Sequence, residues 1–438
     1  MNKPEKMIIY NLFPLLAGPF SRWKPHMSRA VSIGFNWIFV NPIQYPGVSG
    51  SIYSVKDFFR FNPRLIDKHS NSTPEEQVRN VMRTAREIGL NMMADLVINH
   101  CAIDSDLIKE HPDWFYWDNN GKIVHPSCDE DGKKVVWYDL ARFNYQHSPD
   151  AEGLYRYFFK VIRFLMDLGF KGFRCDAAYQ IPGFFWERLI GDVREIDPDI
   201  RFFAETLGCS VDETIVTARA GFDYIFNSSK WWDLSSHWCM EQYELTNKVV
   251  PSISFPESHD TPRLAEELGG NINGLKQRYL FSSIFSSAVM LPIGFEFGFK
   301  KRLHVAETRE NDWENTDIDI TSFIKEVNTI KGSCKVFCED PPTSILYTEN
   351  PQILVIWKAS LSSSDEALII LNKDIYNKQY FHVEKLSNLI QAGAPLKDVS
   401  PEYRLDYISE PFSYDLRPGQ GLIFVTRRNS SDIDIRQM

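Results

Sequence analysis

Asp176, Glu205 and Asp260, together with Arg174, His100 and His259, fall in four short segments: Asp95-Leu-Val-Ile-Asn99-His100, Gly172-Phe-Arg174-Cys-Asp176-Ala177, Phe203-Ala-Glu205-Thr206 and Phe255-Pro-Glu-Ser-His259-Asp260-Thr-Pro-Arg263. A carboxylate held ionised can attack an electrophilic carbon, while a second carboxyl that keeps its proton can give it to a departing oxygen. Arg174 lies two residues before Asp176, so on a strand both side chains point to one face, and a fixed positive charge there keeps Asp176 ionised. Glu205 has the opposite requirement, and low-polarity surroundings expected from Phe202 and Phe203 would favour its protonated form. Taken singly these residues have plainer readings. Arg174 and Asp176 could be a structural ion pair, His259 a satisfied core histidine, and Asp95 and Asn99 strand-end hydrogen-bonding groups. The joint occurrence of all of them, each after an apolar strand-like run, argues for chemistry.

The elements that must position these groups alternate between buried strands and amphipathic helices. Thr73 and Glu76 stand at capping-box spacing, with Pro74 at the first helical position and apolar residues at Val78, Val81, Met82, Ala85 and Ile88. The same syntax returns after Ser148-Pro149, with Leu154, Phe158, Val161, Leu165 and Leu168 before Gly169. Strand candidates are Met7–Phe13, Trp37–Asn41, Asn91–Val97, Gly172–Ala177, Arg201–Thr206, Tyr224–Asn227, Ser252–Phe255 and Val289–Phe295. This series predicts a (β/α)8 TIM barrel with reactive groups at the C-terminal strand ends. The four segments sit on strands three, four, five and seven. The stretch 101–147 is too long for an ordinary connection and reads as a short excursion after strand three. Near Pro341 the pattern turns to short alternating runs, which predicts a C-terminal antiparallel β-domain. The expected division is a barrel over 1–340, including the insertion 101–147, and a β-domain over 341–438, with a frayed tail from Arg427 to Met438.

In order, spacing and content the four segments resemble the signature regions of the α-amylase superfamily, glycoside hydrolase family 13. The resemblance spans residues 7 to about 300 and implies a retaining enzyme acting on α-glucosidic bonds of glycogen, starch or maltodextrin. It implies Asp176 as nucleophile, Glu205 as general acid/base and Asp260 as a third carboxylate that strains the substrate and bonds the transition state. It also implies that His100 and His259 bind the sugar at the cleavage point. Tyr53, in Ser51-Ile-Tyr53-Ser-Val-Lys-Asp57, resembles the tyrosine that stacks beneath that sugar, with Asp57 anchoring the loop. Gly172 to Gln180, Phe226 to Asp233 and Gly294 to Arg302 are more similar to bacterial intracellular members related to maltosyltransferases that use maltose 1-phosphate. Lys300-Lys301-Arg302 could then hold an anionic leaving group, or be a solvated basic turn.

Composition narrows the alternatives. A formal charge of −10 and the lack of a long basic run disfavour a nucleic-acid or anionic-membrane surface. Seven cysteines, of which only Cys334 and Cys338 are closely spaced, do not form a disulfide or zinc framework. The first residues run into a short apolar strand rather than a leader, and no apolar run approaches a membrane span. The expectation is a cytoplasmic protein. Two other classes compete: an inactive barrel that binds glucan, which the intact Asp176, Glu205 and Asp260 argue against, and a phosphosugar isomerase, for which Gly294-Phe-Glu-Phe-Gly298 is a poor phosphate loop. Hydrolysis or transfer, endo or exo attack, chain length and oligomeric state are left open by these motifs.

Two departures from the family pattern bear on metals and on the pocket. Ser258 stands where an amide is common. Many family members continue the nucleophile strand with a Lys-His pair whose histidine backbone helps hold calcium, whereas this chain has Tyr179-Gln180. With Asn99 kept but no acidic partner evident, no metal and no cofactor are expected. Activity and melting temperature should therefore survive EDTA; a loss that calcium alone restores would contradict this reading.

Overall fold

The computed structural model describes residues 6–130, 133–391 and 395–428. Eight parallel strands close a barrel: β1 (Met7–Leu12), β2 (Trp37–Val40), β3 (Asn91–Leu96), β4 (Gly172–Cys175), β5 (Arg201–Ala204), β6 (Tyr224–Phe226), β7 (Ser252–Ser254) and β8 (Ala288–Pro292), with β1 pairing both β2 and β8. These are the eight expected strands, each ending one to three residues earlier at its polar exit.

Strand periodicity sorts the core into two layers. Met7, Ile9, Trp37, Phe39, Met93, Phe203, Phe226, Ile253 and Met290 fill the barrel. Ile8, Tyr10, Ile38, Met92, Phe173, Phe202 and Val289 face the surrounding helices. This alternation puts Gly172, Arg174 and Asp176 on the inner face. A Cβ on Gly172 would come within 2.9 Å of the Trp37 ring and 3.0 Å of the Phe203 ring, so the absent side chain lets aromatics fill the barrel beneath Arg174.

The surrounding helices follow their local signals. Thr73 and Glu76 form the capping box of Pro74–Glu87. Ala151–Leu168 is capped by the Asp150 carboxylate, which accepts from the Gly153 amide, and ends at Gly169 in the left-handed region. Ser148-Pro149 therefore precedes the cap instead of forming it. The excursion after β3 holds two antiparallel pairs, His100–Ala102 with Leu140–Arg142 and Ser127–Glu130 with Lys133–Val136.

A five-stranded antiparallel sheet follows the barrel, ordered Thr343–Leu346, Ile353–Ala359, Asp365–Asn372, Gly421–Arg427, Lys397–Asp398. Arg427 closes its strand, and the expected frayed tail beyond residue 428 lies outside the described residues. Among the described residues no helix is long and apolar enough to cross a membrane. Gly172→Val should force the inner aromatics apart and cost about 1–3 kcal/mol, read by urea unfolding. An unchanged midpoint would mean that the barrel interior is not packed as described.

Candidate active site

Neighbouring strand ends deliver the carboxylates to one guanidinium. β3 and β4 pair with Asp95 opposite Arg174, and Arg174 Nη1 donates to both Asp95 oxygens (2.9 and 3.1 Å) and to Asp176 Oδ1 (2.7 Å). Its Nη2 lies 3.9 Å from Glu205 Oε2, at the end of β5. The Arg174 side chain is 4% exposed and the Asp176 side chain 15%, so the charges interact with little screening by water. Burial pushes the Asp95 carboxyl up, while its contacts with Arg174 and the Tyr53 hydroxyl need an acceptor-only carboxylate.

Glu205 sits differently. Its Oε2 accepts from the Ala177 amide (2.9 Å) and its Oε1 from the Leu207 amide (2.6 Å). Ala177 reaches this position in the left-handed region, at φ 42°. Burial nevertheless dominates: it raises Glu205 to about 7, against the lowering effect of Arg174 and with a further push from Asp176. The pair thus consists of a carboxyl bound directly to a cation and a second carboxyl that is about half protonated near pH 7.

Tyr53, His100 and His259 complete the ring. The Tyr53 hydroxyl donates to Asp95 Oδ2 (2.6 Å) and accepts from Asn41 Nδ2 (2.9 Å). His259 Nε2 lies 2.6 Å from that hydroxyl and 3.1 Å from Asp260 Oδ2. With the hydroxyl proton directed to Asp95, this count puts a proton on His259 Nε2. The Tyr53 and His259 rings lie parallel, with centroids 5.4 Å apart. His100 Nε2 donates to the Tyr53 carbonyl (3.1 Å). Among the described residues Nδ1 of both histidines is buried without a partner, and burial lowers both imidazoles below the usual range. The Asp260 side chain is 58% exposed and lies toward solvent above the buried group.

Several expectations need adjustment. Phe202 faces outward among the helix-packing residues, so of the two phenylalanines only Phe203 lies inside the barrel; the β-strand alternation decides this. Ser258 Oγ accepts from the Asp260 amide (3.2 Å) and so shapes the turn. Asp57 lies within the strand Val55–Phe61 and accepts from the Phe59 amide, a local bond. Lys301 pairs with Asp312, and Arg302 donates to the Asp260 carbonyl (2.7 Å), so this basic run is partly spent in holding loops together. Asn99 donates to Gln180 Oε1 (3.3 Å). Among the described residues no three His, Cys, Asp or Glu side chains gather to hold a metal.

Sequence reasoning assigned Asn41 and Arg263 no role and Asp95 only that of a strand-end hydrogen-bonding group. Arg263 binds buried Glu257 (2.7 Å) and the carbonyls of Ile293 and Lys301 (2.9 and 3.2 Å), tying the His259-Asp260 loop to the exit of β8. A buried carboxylate at an inward strand position was the available signal for Asp95.

Asp176 and Glu205 thus stand at adjacent strand ends of a (β/α)8 barrel. Residues 3–131 match the glucanotransferase domain of glycogen debranching enzyme. The chain is 24% identical over 375 residues to an alpha-1,4-glucan:maltose-1-phosphate maltosyltransferase of Burkholderia pseudomallei, covering 82% of this chain and 32% of that protein. It is 24% identical over 297 residues to a cyclomaltodextrinase of Geobacillus thermopakistaniensis, covering 62% of this chain and 48% of that protein. The chain therefore spans about a third to a half of the length of these relatives. The maltogenic alpha-amylase AmyB of Thermotoga neapolitana superposes with a TM-score of 0.78 at 19% identity, over 98% of this chain and 100% of that one. The chain is thus similar to proteins of the α-amylase superfamily, glycoside hydrolase family 13, maltosyltransferases and a cyclomaltodextrinase among them.

The raised Glu205 value has a stability consequence. The folded state holds this proton up to about pH 7, whereas an unfolded glutamate releases it near 4.5, so the group's contribution is full below 4.5 and is lost as pH rises through 7. The stability of Glu205→Gln relative to wild type should therefore improve by about 1–3 kcal/mol between pH 4.5 and pH 8, read by urea unfolding at each pH. An equal difference at both values would refute the raised titration.

Proposed function

We propose that the protein is a retaining glycosidase acting on α-glucosidic bonds of α-glucans or maltooligosaccharides by double displacement. Asp176 attacks the anomeric carbon, and Glu205 protonates the departing glycosidic oxygen and then deprotonates the incoming water or sugar hydroxyl. The observation that carries this reading is Arg174, which contacts Asp176 at 2.7 Å and lies 3.9 Å from Glu205. One cation that contacts the first carboxyl and reaches the second supports the close spacing, roughly 5–5.5 Å, that covalent catalysis requires.

Asp260, held by His259 at 3.1 Å, would grip the hydroxyls of the sugar as its ring flattens toward the transition state. The unpartnered Nδ1 atoms of His100 and His259 are the remaining polar capacity of two residues proposed to bind the same sugar. Tyr53 would contribute its ring and the line of hydrogen bonds that aligns His259. The same reading takes 1–340 as the catalytic barrel, with 101–147 as its insertion, and 341–438 as a β-domain. A cytoplasmic setting suits a chain whose cysteines form no disulfide among the described residues.

The maltosyltransferase relatives favour a second reading, in which the glycosyl-enzyme passes maltosyl units between a glucan and phosphate. Water and acceptors compete for one intermediate, so products decide. Asp176→Asn should lower turnover of soluble starch by at least about 10⁴-fold while glucan binding is kept. Wild type incubated with glycogen and inorganic phosphate should release mainly free maltooligosaccharides. Residual turnover in pure Asp176→Asn would overturn the nucleophile, and maltose 1-phosphate of α configuration as the main product would promote the transferase reading.

A further inference from the structure

One exposed indole stands near the catalytic end of the barrel. The turn Ser229–Trp231 follows β6, and β6 lies between β5, which carries Glu205, and β7, which leads to His259 and Asp260. Trp231 is 53% exposed, while its neighbour Trp232 is fully buried. The Trp231 ring meets Phe255 edge to face, with centroids 6.1 Å apart at 88°. Phe255 belongs to the barrel's inner layer and lines the narrow cleft that also contains Arg174, Glu205, His259 and Asp260. Trp231 therefore stands at the rim of the catalytic mouth.

Its exposure is enforced by the turn. Ser229 donates both its amide and its hydroxyl to Asn227 Oδ1 (3.1 and 2.7 Å). Lys230 is drawn inward to Glu267 (3.1 Å) with a side chain only 5% exposed. Trp232 is locked by its indole N–H on the Ser236 carbonyl (2.7 Å) and by Arg278 on its own carbonyl (2.7 Å). The flanking residues are pinned on either side, which leaves Trp231 projecting from a rigid turn. Among the described residues, no hydrogen bond engages its indole N–H. A large apolar ring with a spare donor matches a pyranose, which offers a C–H face and hydroxyl acceptors.

We propose that Trp231 is a specificity-determining residue that stacks the sugar on the leaving-group side of the cut, and that the same platform holds an acceptor sugar when the glycosyl-enzyme is resolved. The inference rests on the glycosidase reading above and deepens it. Glu205 must lie beside the oxygen that joins donor and leaving sugar, and β6 is the strand next to it in the barrel. A sugar held on this platform presents its hydroxyl to Glu205, which removes the proton as that oxygen attacks the anomeric carbon and the bond to Asp176 breaks. Water follows the same route without needing the indole. Trp231 thus sets the balance between transfer and hydrolysis.

The test uses an α-maltosyl fluoride donor with maltose as acceptor, and compares transfer product with hydrolysis product in the same sample, so that the ratio does not depend on the amount of folded enzyme. Trp231→Ala is expected to lower the transfer-to-hydrolysis ratio about tenfold at fixed maltose and to raise the acceptor concentration for half-maximal transfer. Trp231→Phe should restore most of the ratio. An unchanged ratio in Trp231→Ala, or an equal fall in both products, would overturn the assignment while leaving the glycosidase reading standing. A wild-type protein that releases no fluoride would instead overturn the glycosidase reading, and this inference with it.

Discussion

A guanidinium almost sealed from water is tolerable only if its charge is matched, and Arg174 is matched by Asp95 and Asp176 directly and by Glu205 at longer range. Desolvating such a group costs several kcal/mol, and the compensation comes from short, well-aligned contacts in a medium where charges interact strongly. The dependence is mutual. Without the cation, three carboxyls at neighbouring strand ends would repel one another and take up protons. With it, Asp176 stays bound to positive charge while Glu205, farther off and more deeply affected by burial, is held near 7. Burial is the larger cause of the raised Glu205 value, and Arg174, 3.9 Å away, offsets it only in part.

The barrel supplies that arrangement through register. In the parallel pairing of β3, β4 and β5, Asp95, Arg174 and Phe203 stand in one row, and the next inward position on β4 and β5 brings Asp176 and Glu205 above them. Tyr53 extends the network sideways. Asn11 of β1 donates to Asn41, Asn41 donates to the Tyr53 hydroxyl, and the hydroxyl meets both Asp95 and His259. A line of short bonds thus runs from β1 to the loop after β7, so the site is a property of the closed barrel and not of any strand pair.

Beneath the site, the C-terminal sheet anchors the same strands from the opposite end. Lys358, on the second strand of that sheet, donates to the carbonyls of Ile284 and Phe285 at the end of helix Ile272–Phe285. Asp340 accepts the amides of Ser252 and Ser287 at the feet of β7 and β8. Burial lowers Lys358 to about 7, the cost of placing an ammonium there. These contacts fix the base of the strand whose exit carries His259 and Asp260, which gives the appended sheet a mechanical link to the chemistry.

The four candidate-site segments were legible in the sequence because each is local: an apolar run ends and polar residues follow at once, so strand, exit and polar group are encoded within a few positions. Thr73 with Glu76, and Gly169 after Leu168, mark helix ends for the same reason. What the sequence left undetermined depends on partners far apart in the chain. Asp95 could be read as a strand-end residue until β3 paired with β4 and set it opposite Arg174. Phe202 and Phe203 are equivalent in composition, and only the direction of the pleat turned one inward. Tyr53 and His259 lie 206 positions apart, and nothing near either one announces the bond between them. Trp231 and Trp232 are adjacent and identical, yet closure of the barrel buried one and left the other at the mouth. Residue type and short-range spacing thus determined which chemistry was available, while strand register and barrel closure decided which groups meet, because hydrogen bonds and burial act over a few ångströms in space regardless of separation along the chain.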